Sequence, residues 1–180
     1  MTRHPQLGSY KLIMVDCNFL IEWAKPSSED NKARLDFVLN AASEHKQKIV
    51  VGMPAVAEYL VRTDVAGLEW LEKLQRRAGV QLAPFDLKAA YECAQLDRAA
   101  LGAGDKKDGS EEPWQKIKVD RQLIGIAKAT SCTAVVSGDD SVRANALRVG
   151  MKAFRIDELE LPMSAKQVPL PLADPNKPAE

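Results

Sequence analysis

Short apolar runs along this chain are separated by stretches with helical spacing, and that alternation restricts the fold more than any other feature. The runs are Leu12-Ile-Met-Val15, Lys48-Ile-Val-Val-Gly52, Val80-Gln-Leu-Ala83, Thr133-Ala-Val-Val-Ser137 and Ala153-Phe-Arg-Ile156. Continuous apolar runs of this length suit strands buried on both faces of a sheet. Strands alternating with helices predict a three-layer α/β/α sandwich with right-handed crossovers and a central parallel sheet.

The helical stretches follow the same logic. Leu35, Val38, Leu39 and Ala42 predict a helix over about 30–44, with Ser27 or Ser28 as its N-cap. Pro54 opens a helix carrying Val56, Glu58, Tyr59 and Leu60. Another is expected over about 64–78, stopped by Gly79. Asp86 caps a helix expected to turn Leu87, Ala90, Tyr91, Ala94 and Leu101 inward. A well-buried helix is expected over about 119–130, and Val142, Ala146 and Val149 mark the next, which Gly150 ends. Residues 1–9 read as a lead-in, 10–161 as the domain, and 102–113 as a mobile loop within it. Residues 162–180 hold five of the ten prolines and read as a flexible tail.

At 180 residues the chain suits one domain with a substantial core. Its 25 Lys plus Arg balance 25 Asp plus Glu, so no global field draws it to nucleic acid or membrane. Nucleic-acid binding would need a local groove. Cys17, Cys93 and Cys132 form no CxxC pair, and no apolar run approaches membrane-spanning length. A cytoplasmic location is the expectation. The fingerprints GxGxxG and GxxxxGK[ST] are both absent, which removes the two commonest phosphate-cradling loops.

The acids are more telling. Asp16 ends the first run and Asp139 follows the fourth, at the strand ends where open α/β sheets place ligands. Asp16 is equally well placed to cap the following helix, and both readings stand. Glu58 lies one turn into its helix, and Asp120 is expected to start the buried helix, where the dipole favours negative charge. In a parallel sheet all four positions can face one crevice. Carboxylates packed together raise one another's pKa values, and Mg²⁺ or Mn²⁺ would relieve that cost through oxygen ligands. His4 and His45 lie away from these positions, which argues against zinc. Such a site suits phosphodiester hydrolysis.

Four fragments in order, Val15-Asp16-Cys-Asn18-Phe-Leu20, Pro54-Ala-Val-Ala-Glu58-Tyr-Leu60, Asp120-Arg-Gln-Leu-Ile124-Gly-Ile-Ala127 and Val135-Val-Ser137-Gly-Asp139, resemble the PIN-domain nucleases. The resemblance is closest in style to VapC-type toxins of toxin–antitoxin pairs and covers about residues 12–156. It implies Mg²⁺- or Mn²⁺-dependent cleavage of RNA, an antitoxin protein as partner, and frequent homodimers. Carried over, Asp16, Asp120 and Asp139 would hold the metal or its waters, and Glu58 would act directly or through water. Ser137 would bond to a metal-bound water, and Asn18 would orient Asp16. The chain departs from the pattern at Gly125, where the family usually has Ala, in the 102–113 loop, and in the tail.

Other readings stay beside this one. A binding module on the same fold would bind RNA or a protein without turnover. A haloacid-dehalogenase-like phosphohydrolase would use Asp16 as nucleophile, although Asn18 replaces the second Asp of its DxD pattern. Asp140 rivals Asp139, but motif register favours Asp139 and leaves Asp140 as a helix cap. Glu22 and Asp157 read as surface or capping acids. Cys17 reads as a small buried residue, since no basic partner is identifiable. Lys116, Lys118 and Arg121 could steer phosphates or simply face solvent. Trp23, Trp70 and Trp114 read as core or interface residues, with base stacking by Trp114 as a lesser alternative.

Overall fold

The apolar runs assemble into a single five-stranded sheet in the computed structural model, which describes residues 10–166. Strands β1 (Leu12–Val15), β2 (Lys48–Gly52), β3 (Val80–Ala83), β4 (Ala134–Val136) and β5 (Lys152–Phe154) lie in the order β3-β2-β1-β4-β5, every neighbouring pair parallel. Central β1 pairs Ile13, Met14 and Val15 with Ile49–Val51 on one side and Ala134–Val136 on the other. These nine residues are buried, as continuous apolar runs in the middle of a covered sheet should be.

Helices α1 (Cys17–Ala24) and α2 (Glu29–Glu44) link β1 to β2, and α3 (Met53–Arg62) and α4 (Val65–Leu74) link β2 to β3. Helices α5 (Leu87–Gly102) and α6 (Trp114–Ala129) return the chain to β4, and α7 (Asp140–Arg148) leads to β5. Right-handed crossovers place α1–α4 on one face and α5–α7 on the other. The packing agrees, with α1 against α2 and α3, and α6 against α5 and α7. The result is the expected three-layer α/β/α sandwich. The chain leaves β1 towards β2 and comes back to β4 on its other side, so strand order reverses there. The crevice beyond those carboxyl ends is the topological switch point.

Local signals explain the helix starts. Asp16, Ser28, Asp64 and Asp86 each accept a backbone N–H of the first turn, from Phe19, Asn31, Gly67 and Ala89. Two helices depart from expectation. The buried face of α5 is Ala89, Cys93 and Ala100, whereas Leu87, Tyr91 and Leu101 are exposed. The reason is the close crossing of α5 on α6. A Cβ on Gly125 would lie 2.7 Å from the Ala89 carbonyl oxygen and 3.0 Å from Cys93 Cβ, so only small side chains fit between the helices. Helix α6 starts at Trp114, five residues before the expected start near Val119, because, of residues 114–118, only Ile117 is buried and a single apolar contact sets no period. Asp120 therefore lies in the second turn, and the helix dipole contributes little there. Helix α4 likewise ends at Leu74, short of Gly79.

The segment between α5 and α6 is tied down at several points. The Asp105 carboxylate accepts the N–H of Lys107 and of Gly109, Arg121 reaches the Lys106 carbonyl, and Arg148 pairs with Asp108. Beyond β5, a short 3₁₀ turn (Ile156–Glu158) leads to buried Leu159, whose carbonyl accepts from Arg34, and to α8 (Met163–Lys166). The lead-in 1–9 and positions 167–180 of the tail lie outside the described residues. Among the described residues, no helix is long and apolar enough to cross a membrane.

Candidate active site

Asp16, Glu58, Asp120 and Asp139 all line one cleft of about 910 Å³ at the switch point. Each reaches it from a different element. Asp16 closes β1, Glu58 comes from α3, Asp120 from α6, and Asp139 from the turn after β4. Glu58 and Asp139 are both close enough to add repulsion at Asp16, and Asp139 adds it at Asp120.

Asp16 serves as cap and as site residue at once. Its Oδ1 accepts the Phe19 N–H at 2.9 Å, and its Oδ2 accepts the Ser137 hydroxyl. That hydroxyl in turn accepts the Asp139 N–H at 2.9 Å, so Ser137 joins the two acids across the switch point. Ser137 is fully buried and bonds to the Asp16 carboxylate directly. Asn18 borders the same turn. It is exposed, lies against Gly138 and makes no bond to Asp16; Phe19 and Ser137 do the orienting instead.

The electrostatics follow from burial. Desolvation pushes the Asp16 carboxyl above its ordinary value, aided by the charges of Asp139 and Glu58 and opposed by its two hydrogen bonds. Asp120 is pushed up to about 6, again chiefly by burial, while the neighbouring Ser141 hydroxyl and Lys116 pull the other way. Its Oδ2 is buried with no hydrogen-bond partner. Partial burial works against the Asp139 charge, but the Lys116 ammonium and the Ser141 N–H hold that carboxyl below its usual range. Glu58 is half-exposed and pairs with Arg62 at 3.2 Å.

The rival residues fall elsewhere. Asp140 is exposed and pairs with Arg143; the cap of α7 is Asp139, through Ser141 N–H at 2.8 Å. Burial pushes the Cys17 thiol up to about 12, so it is no thiolate nucleophile. Glu22 binds Ser27 and Asn31, and Asp157 pairs with Arg155. Trp23 and Trp70 stack edge to face beside Phe19 and Tyr59. Lys106, Lys118 and Arg121 surround the Trp114 ring, so a base would have to displace a cation to stack there. Ser141 was not legible as part of the site, and for Lys116 the sequence suggested phosphate steering but not its bond to Asp139. Ser141 beside Asp120 depends on how α7 meets α6, which no local pattern encodes. Lys116 bonding to Asp139 was foreshadowed only by its place one turn before Asp120 on α6.

Does this set suit a divalent cation? The donors are all hard oxygens, two of the acids are buried, and one buried oxygen lacks a partner. The chemistry fits. As they stand, however, no three His, Cys, Asp or Glu side chains among the described residues are grouped so as to hold a metal ion, and Lys116 sits on Asp139.

This parallel α/β/α sandwich has a PIN-like fold of the VapC type, as solved structures of that fold show. Two of the solved structures similar to it are VapBC2 from Rickettsia felis bound to a DNA fragment from its promoter, and DNA-bound VapBC from Salmonella typhimurium. The first has 11% identity and a TM-score of 0.55, over 80% of this chain and 98% of that one. The second has 17% identity and a TM-score of 0.54, over 80% and 97%. At such identities the likeness is one of fold. No protein-family model and no curated protein matches the sequence.

Proposed function

We propose that this protein is a metal-dependent endoribonuclease that hydrolyses RNA phosphodiester bonds, acting as the toxin of a toxin–antitoxin pair. The observation that carries this reading is the convergence of four acids, from four separate segments, on one cleft. Concentrated negative charge beside a polyanion is costly for a pure binder and useful only with a cation between them.

When bound, Mg²⁺ or Mn²⁺ would stabilise charge on the phosphate and supply a nucleophile from water at neutral pH. Asp16, Asp120 and Asp139 are the residues to hold it. Asp16 is held in orientation by Phe19 and Ser137, which lowers the cost of ordering it around a cation. Glu58, on the α3 wall, is the more solvated acid and is suited to accept a proton from the attacking water. Arg62 and Lys116 line the same cleft and would draw in the phosphate backbone. The partner reading leans on the named VapBC complexes of the same fold. It also leans on the apolar residues exposed along α3 and α4, Leu60, Val61, Val65 and Leu68, which suit an antitoxin or a second copy of this chain.

The test is cleavage of single-stranded RNA by the purified full chain with Mg²⁺ or Mn²⁺. EDTA should stop it, and Asp16→Asn should abolish it while the circular dichroism spectrum is retained. Cleavage that persists in Asp16→Asn, or in excess EDTA, rules the reading out.

A further inference from the structure

Lys116 lines the acid cleft, and its Nζ lies 3.0 Å from Asp139 Oδ2 and 2.7 Å from Glu112 Oε1. The other Asp139 oxygen is engaged by the Ser141 N–H, so Oδ2 is the atom through which Asp139 would take a cation. Lys116 already holds that atom. One turn along the same face of α6, Asp120 keeps a buried oxygen without a partner, and the acids do not close into a metal-holding group. Glu112 differs from the four acids. It does not line their cleft but the neighbouring cavity, of about 340 Å³, beside Arg121 and Ser141. The ammonium is therefore shared between an acceptor inside the site and one outside it.

We infer that Lys116 is a built-in counter-ion of Asp139, which a divalent cation displaces on binding, and that Glu112 holds the ammonium once it is displaced. A lysine suits this exchange. Its three donors on a flexible stem change acceptor without rebuilding a planar geometry, as an arginine fork would require. Lys116 is more than a third exposed, which leaves its ammonium room to change acceptor. The inference rests on reading that cleft as a divalent-cation site.

Isothermal titration of Mn²⁺ into the full chain tests it, with no need for substrate or turnover. Lys116→Met should bind Mn²⁺ about fivefold more tightly than wild type, a factor in keeping with a partly exposed ion pair. Glu112→Gln removes the alternative acceptor, tightens the hold of Lys116 on Asp139 and should weaken Mn²⁺ binding. Removing either charge moves cation affinity in these directions by Coulomb attraction alone. Lys116→Arg, which keeps the charge but must rebuild its fork to change acceptor, separates the two: it should weaken Mn²⁺ binding, whereas a merely structural ion pair leaves the affinity as in wild type. Lys116→Gln serves if the Met variant folds poorly. Binding seen only in Lys116→Met or Lys116→Gln would support the inference. Equal affinities in all the proteins, wild-type affinity in Lys116→Arg, or weaker binding in Lys116→Met, would overturn it and leave the metal reading standing. No binding by any of them would overturn both.

Discussion

The Ser137 hydroxyl donates to the Asp16 carboxylate across 121 residues of sequence, and so ties the end of β4 to the end of β1. Because the same oxygen accepts the Asp139 N–H, one buried side chain sets the relative position of two acids. Ser137→Ala leaves the Asp16 carboxylate and the Asp139 N–H without this partner. We expect a loss of about 1–3 kcal/mol, the range for a buried hydrogen bond to a charged group. That amounts to a fall of several degrees in Tm by calorimetry. The Asp16 carboxyl should titrate still higher, which carboxyl-carbon NMR would read. An unchanged Tm would show that Ser137 is a bystander.

Asp120 gives a pH dependence with a defined sign. Its carboxyl titrates near 6 in the fold, chiefly because of burial, against 3.8 for the model group. The raised value means that the charged form is disfavoured by folding. The penalty is absent below about pH 4, grows through the interval and is complete above about pH 6, at about 3 kcal/mol. Asp120→Asn should therefore be more stable than wild type at pH 7 in urea unfolding, with the gain shrinking as pH falls to 4. Added Mn²⁺ should stabilise wild type and have little effect on the variant. A gain that is the same at both pH values would remove ionisation of Asp120 as its source.

A steric reason keeps position 125 a glycine. Replacing Gly by Ala inside a helix ordinarily stabilises by up to about 1 kcal/mol. Here the new methyl would meet the backbone of α5 at 2.7 Å, and backbone cannot rotate away as a side chain can. Overpacking of this kind costs about 1–3 kcal/mol. Gly125→Ala should lower Tm despite its better helix propensity; a raised Tm would mean that α5 yields easily.

The layout of the sheet was legible because strand burial is written in composition: Ile49-Val-Val51 and Ala134-Val-Val136 have no polar alternation to suggest an open face. The cleft was legible for a related reason. Asp16 and Asp139 follow buried strands directly, so topology alone brings them to one edge. What stayed hidden depended on contacts between helices. The inward face of α5 is set by Gly125 on another helix, so Leu87 and Tyr91 read as core when local spacing alone was used. The partner of Lys116 is hidden in the same way. Its i,i+4 relation to Glu112 is visible in sequence, but the bond to Asp139 needs the approach of α6 to the β4–α7 turn.

Arg121 offers a last test, because it is nearly fully buried next to Asp120 and anchors the segment between α5 and α6. One nitrogen of its guanidinium binds Asp97 at 2.6 Å and another binds the Lys106 carbonyl at 2.9 Å. This two-way hold uses the planar fork, which a lysine lacks. Arg121→Lys should therefore behave as a loss rather than a conservative change. We expect a cost of about 2–3 kcal/mol, below the full figure for a broken buried pair because Asp97 is partly solvated. The freed segment should show it first, as faster tryptic cleavage at Lys106 or Lys107 under native conditions. If Arg121→Lys matches wild type in both urea midpoint and proteolysis, the Lys106 carbonyl contact is incidental and the other tethers of the segment, Asp105 and the Arg148–Asp108 pair, suffice to hold it.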